Sequence, residues 1–109
     1  MPREDRRVFF DLDESYKAVY TLCGQKAIPK PVSGVLRKVD INLDDPLNLD
    51  FQIESNRSGQ METSTFTKDF VIAALMVMCR NIGIPLPKGA NKTLEMIRGQ
   101  LVLRVQMLR

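Results

Sequence analysis

The chain has no histidine, no tryptophan and two cysteines in 109 residues. Without histidine, the usual general base and the commonest metal ligand are missing. Ser-His and Cys-His catalysis and the common zinc sites are thereby excluded. Cys23 and Cys79 sit in apolar surroundings without motif spacing and read as buried free thiols of a reducing compartment. Aromatic residues amount to five Phe and two Tyr, so the core must rest on Leu, Ile, Val and Met. No apolar stretch near the start has the length of a signal peptide, and a cytoplasmic location is expected. The longest apolar run, Phe70 to Cys79, is about half of the ~20 residues a bilayer span needs, so no membrane insertion is expected.

What is present fits a single α+β domain over residues 1–109, with residues 1–7 expected to fray. Hydrophobic and charged fractions of 44% and 27% exclude wholesale disorder. The net charge of +3 conceals a division, because acids outnumber bases up to Ser55 and bases outnumber acids beyond it. Such asymmetry favours an anionic partner or head-to-tail association.

The chain is organised around Thr67–Pro87, TKDFVIAALMVMCRNIGIPLP. Thr67 can cap a helix, Asp69 suits its positive end and Arg80 its negative end. Gly83 can close it and Pro85 and Pro87 forbid continuation, which predicts a helix over 68–82. Its apolar residues occupy every side, so it should be buried. Val71, Leu75, Met76 and Met78 are the residues expected at an interface, because one sheet covers only one stripe. A symmetric homodimer is the expected solution.

Around this helix the sequence predicts an antiparallel sheet of five or six strands. Leu47 to Ser55 alternates most cleanly, with Leu47, Leu49, Phe51 and Ile53 on one face. Asn56–Gly59 reads as a hairpin loop returning Gln60–Phe66 beside it. Val8–Leu12 suggests a short first strand. Val32–Ile41 suggests another, facing inward with Val35, Val39 and Ile41, and Asp44, Asp45 and Pro46 should turn the chain after it. Ser15–Cys23 fits either a strand or a helix opened by Asp13, and its β-branched and aromatic content favours the strand. Leu94–Met107 fits either a helix or a hairpin turning at Arg98-Gly99, and the hairpin is favoured. No internal repeat is visible.

Candidate motifs are few. Adjacent Asp44 and Asp45 read as turn formers, not as an acid and base pair. Asp40-Ile41-Asn42-Leu43-Asp44 begins like a calcium loop, but Asp45 and Phe51 stand where the glycine and the bidentate glutamate belong, so no metal is expected. Lys88–Thr93 shares only its lysine and threonine pattern with a phosphate loop. Arg6, Arg7, Phe9 and Phe10 could offer cations and rings to a nucleic acid, although neighbouring acids oppose that use. Arg80, Lys88, Lys92, Arg98 and Arg104 form the better anion-facing set.

Arg3 and Arg7 stand in an R-x-x-x-R spacing, with Arg6 between them, and Asp40 and Asn42 follow in a loop. Together these stretches resemble the PilZ domain, a small β-barrel that binds cyclic diguanylate through such arginines and a D/N-x-S-x-x-G loop. Asp40 matches that loop, whereas Asn42 and Asp45 replace its serine and glycine. The resemblance spans Arg3 to Glu54 at most. It implies Arg3, Arg6, Arg7, Asp40 and Asn42 as ligand-binding residues. The reading taken forward is a non-enzymatic, self-associating interaction or regulatory module without a cofactor. An anion-binding module for a cyclic dinucleotide or nucleic acid is the alternative, and a small enzyme without histidine the third.

Overall fold

The computed structural model describes residues 3–108, with side chains described for residues 4–107. Along the chain come β1 (Arg3–Phe10), α1 (Leu12–Gln25), β2 (Gly34–Ile41), β3 (Asn48–Ser55), β4 (Met61–Thr67), α2 (Lys68–Asn81), β5 (Asn91–Ile97) and β6 (Gln100–Leu108). The class is α+β, as expected. The strands form two antiparallel sheets of three, β1-β6-β5 and β2-β3-β4, where one sheet was expected. Local alternation identifies a strand but not its neighbour, and here the first strand pairs with the last.

Helix α2 forms where its end signals place it. The Thr67 hydroxyl accepts the Phe70 N–H at 3.1 Å, Asp69 lies in the first turn and Arg80 in the last. Gly83 takes φ 81°, and the Ile84 N–H then reaches back to the Cys79 carbonyl at 2.8 Å. The helix is not alone at the centre, because α1 packs against it.

Ser15–Cys23, expected as a strand, lies within α1. Asp11, not Asp13, is the cap. Its carboxylate accepts the Glu14 N–H at 2.7 Å, while the Glu14 carboxylate accepts the Asp11 N–H at 2.9 Å. This reciprocal box satisfies two orphan donors and outweighs the weaker strand propensity of the residues behind it. Ser15, Ala18, Val19, Leu22 and Cys23 then share one buried face at helical spacing.

Three strand expectations also need correction. Of the residues expected to fray, Arg3–Arg7 are paired, since β1 runs from Arg3↔Leu108 to Phe10↔Leu101 along β6, and residues 1 and 2 lie outside the described residues. In β2 the inward residues are Leu36 and Val39, while Val35 and Ile41 are 46% and 48% exposed. A bulge between Leu36 and Lys38 inserts the extra residue that brings positions three apart to one face. Leu47 lies outside β3 and is 69% exposed, but Leu49, Phe51 and Ile53 face inward as expected. The turn at Asp44–Pro46 and the hairpin at Arg98-Gly99 are both present.

The two sheets reveal a repeat that the sequence reading missed. Strands β2-β3-β4 form a meander that runs straight into α2. Strands β5-β6-β1 form the same meander, split across the chain ends, and run into α1. Aligned on the two helix caps, residues 10–31 and 66–87 share Phe10/Phe66, Asp13/Asp69, Ala18/Ala74, Cys23/Cys79, Ile28/Ile84, Pro29/Pro85 and Pro31/Pro87. Inward residues match as well: Leu49, Phe51 and Ile53 of β3 stand where Leu101, Leu103 and Val105 stand in β6. Cross-strand pairs agree, with Leu49↔Phe66 in one sheet and Leu101↔Phe10 in the other. The molecule is thus two meander-plus-helix units in permuted order, drawn out to 54 × 28 × 21 Å.

Candidate functional site

The arginines and the aspartate loop singled out by the PilZ resemblance do not converge. The Arg3 side chain lies outside the described residues. Arg6 donates to the Pro85 carbonyl, which ties β1 to the segment after α2. Arg7 pairs with Glu95 at 2.8 Å on the outer face of the terminal sheet. Beside it Arg104 binds Asp5 through two hydrogen bonds of 3.1 and 2.8 Å. The sheets are open meanders, not the barrel that the resemblance implies.

Asp40 and Asn42 belong to the other sheet. Asp40 lies 3.4 Å from the Lys38 ammonium. Asn42 organises the β2–β3 turn: its carbonyl oxygen accepts the Asp44 and Asp45 N–H groups, both at 2.9 Å, and its amide donates to Asp50 at 2.9 Å. That bond, with a second from Thr65 at 2.7 Å, holds the Asp50 carboxyl below the usual carboxylate range. The oxygen-rich spacing that suggested a calcium loop is an Asx turn. Among the described residues no group of three or more Cys, Asp or Glu side chains could hold a metal ion.

Of the expected interface residues, Val71 and Leu75 are fully buried in the chain's own core, where no second chain can reach them. Met76 and Met78 are half-buried. Among the described residues no helix is long and apolar enough to cross a membrane.

The basic set expected to face an anion is partly assembled. After α2, the turn at Gly83 and the prolines at 85 and 87 carry the chain back past the helix end toward β5. A cleft of about 500 Å³ opens between them, lined by Met76, Arg80, Ile84, Leu86, Lys88 and Lys92 with the intervening backbone. Lys92 is turned inward onto the Pro87 and Ala90 carbonyls. Arg80 and Lys88 are exposed and have no ion-pair partner among the described residues. The floor is apolar, supplied by Met76, Ile84 and Leu86, and no acid lines it. Glu4 and Asp5 line an adjoining hollow that shares Pro85, Leu86 and Pro87 with the cleft. Arg98 and Arg104 lie elsewhere, on the β5–β6 turn and the outer sheet face.

The repeat supplies an internal control. At the corresponding place in the first unit, Tyr20 stands for Met76 and Lys30 for Leu86. There the Lys30 ammonium lies 5.0 Å from the centre of the Tyr20 ring, so the unit's own cation covers its own ring. Tyr16 donates to the Val32 carbonyl at 2.9 Å, beside a hollow of about 280 Å³ lined by Tyr16, Tyr20, Ser33 and Gly34 that carries Lys17 as its one cation. In the first unit Lys30 is engaged within the unit, whereas Arg80 and Lys88 of the second have no ion-pair partner among the described residues.

The units also differ in the turn between their first two strands. In the second unit the residues between β2 and β3, 42–47, carry Leu43 and Leu47 at 99% and 69% exposure around Asp44 and Asp45. In the first unit only Arg98-Gly99 separate β5 from β6. The helix spacing of the first unit could have been found by noticing I-P-x-P twice; the cations of the cleft belong to the basic set expected from the sequence, whereas its apolar floor depends on chain return and had no local signal. Comparison with family models, with curated proteins and with solved structures returned no match, so the site stands on its own geometry.

Proposed function

We propose that the chain is a non-enzymatic interaction module whose binding surface is the cleft at the C-terminal end of α2, and that it takes an acidic segment anchored by a leucine-type side chain. The observation that carries this reading is the pairing of two cations without an ion-pair partner among the described residues, Arg80 and Lys88, with an apolar floor of Met76, Ile84 and Leu86. A phosphate-tracking groove would need a longer row of cations, whereas a short acidic peptide needs two cations for charge and a pocket for its anchor. The charged rim steers the encounter and the floor supplies the retained contact area. Since α2 presents its negative pole here, Arg80 also offsets the dipole, leaving Lys88 as the freer charge.

A labelled peptide alternating leucine with aspartate, titrated against the full chain by fluorescence anisotropy, tests this. Binding should weaken with salt, fail for the lysine counterpart and fall at least ~10-fold in Arg80→Glu/Lys88→Glu, as loss of two rim charges implies. Lys26→Glu/Lys30→Glu in the first unit should leave it unchanged. Equal binding of both peptides, or indifference to the Arg80 and Lys88 changes, overturns the reading.

A further inference from the structure

We infer that the occupant of this cleft is the β2–β3 loop of a second copy of the chain, so that copies associate head to tail. The inference rests on the cleft reading above and names its partner.

The loop has the chemistry that the cleft lacks. Leu43 projects into solvent at 99% exposure, with Leu47 at 69% beside it, and Asp44 and Asp45 lie between them. Two leucines exposed on one short turn make an apolar projection that a partner can cover. This turn is also held in shape. Asn42 accepts the two aspartate N–H groups at 2.9 Å, and the Asp45 carboxylate accepts the Leu47 N–H at 3.0 Å. A loop already fixed in its presenting form loses little entropy on docking.

The geometry forbids a chain from satisfying itself. The Lys68 N–H bonds to the Leu47 carbonyl at 2.8 Å, which pins the loop to the start of α2. The cleft begins at Met76 and Arg80, toward the other end of the helix. Fourteen residues at ~1.5 Å rise separate the two ends by about 20 Å. An acidic, leucine-bearing projection at one end and a basic, apolar cleft at the other make a heterologous contact, which propagates from copy to copy. The division of charge between the two halves of the sequence has the same sense. Both features belong to the second unit, and both are the places where it departs from the first.

Two charge reversals, each made in the full chain, test the contact. Arg80→Glu/Lys88→Glu spoils the cleft and keeps the loop; Asp44→Lys/Asp45→Lys spoils the loop and keeps the cleft. The unmodified chain should show concentration-dependent mass by sedimentation velocity between ~10 µM and ~1 mM, the range of weak interfaces of small area. Each variant alone should stay monomeric, and an equimolar mixture should associate, because each supplies what the other lacks. Circular dichroism and thermal melting confirm that both variants fold; Leu43→Ser, at a fully exposed position, serves as a second loop variant that should also weaken association. A monomer at every concentration, or association in either charge variant alone, overturns the inference. If the acidic leucine peptide binds while the chain remains monomeric, the cleft reading survives and this inference falls. If the peptide fails as well, both fall.

Discussion

Cys23 and Cys79 occupy the same position in their two helices, 56 residues apart, and the carbonyl of each accepts the N–H of the isoleucine five residues on, Ile28 at 3.1 Å and Ile84 at 2.8 Å. Both thiols are fully buried. Each forms part of the floor beneath the turn that ends its helix, so the I-P-x-P segments that follow leave from equivalent places.

That equivalence predicts matched thiol chemistry. Burial pushes both thiols up from their ordinary value, which suppresses the reactive thiolate and removes access together. In the native chain both should react with an aromatic disulfide reagent at least ~100-fold more slowly than in denaturant, the suppression that a local opening cost of ~3 kcal/mol gives. Reaction of one thiol at the free-thiol rate, under native conditions, would show that its capping turn is not closed as described.

Much of this architecture was legible, and what was not has specific causes. Helix α2 announced itself through Thr67, Gly83 and two prolines because capping is local chemistry. Helix α1 has the same frame, but Tyr16, Val19, Tyr20 and Thr21 give it strand-like composition, and the Asp11–Glu14 box is its one clear helical mark. The β2 face departs from plain alternation because a bulge adds one residue, and no residue type marks it. The repeat stayed hidden because its first unit begins at β5 and ends at α1, wrapping around the chain ends. The cleft joins residues separated by a loop, and the Leu43 projection is apolar where turns are ordinarily polar. Neither follows from periodicity.

The pH dependence of the β2–β3 turn should run through Asp50. Its folded carboxyl is held low, first by Asn42 and then by Thr65. A depressed folded value means that the contribution is present above the ordinary carboxylate range and is lost as the pH falls through the folded value. Asn42→Ala should therefore raise the titration point of Asp50 toward the ordinary value and shallow the acid limb of the stability curve. Carboxyl carbon shifts followed through an acid titration read this directly. An unchanged Asp50 titration in the variant would mean that the Asn42 bond does not set it.

Permuted order predicts tolerance of a second permutation. Arg3 pairs with Leu108, so a short linker from residue 108 to residue 3 makes a hairpin connection between adjacent antiparallel strands. New ends opened at Gly89, an exposed turn position with φ 77°, would give the order β5-β6-β1-α1-β2-β3-β4-α2, two units in plain tandem. Such a protein should fold cooperatively and lose no more than ~2 kcal/mol, since the helices, sheets and core contacts are retained and only a surface loop is cut. A chain that collapses without a cooperative thermal transition would show that the two units are not independent halves of one design.

Ala27 and Gly83 are the residues that turn the chain out of the two helices, and both have positive φ, 54° and 81°. They correspond in the repeat, yet only the second unit has the residue suited to this conformation. An alanine held in the left-handed region pays roughly 1–2 kcal/mol in clash between its Cβ and the backbone. Replacing it by glycine removes that clash but frees the unfolded chain, at a cost of ~0.4–1 kcal/mol. The first effect is the larger, so Ala27→Gly should stabilise the protein by ~0.5 kcal/mol. The reverse change, Gly83→Ala, meets no heavy atom within 4 Å, so its cost is conformational alone and should be offset only by the unfolded-state gain, a net loss of ~0.5–1 kcal/mol. Urea titrations of the two variants should therefore shift in opposite directions with unchanged slope. A loss of stability in Ala27→Gly would mean that the Ala27 methyl contributes packing greater than its strain, and that the two turns, alike in backbone, are held by different forces.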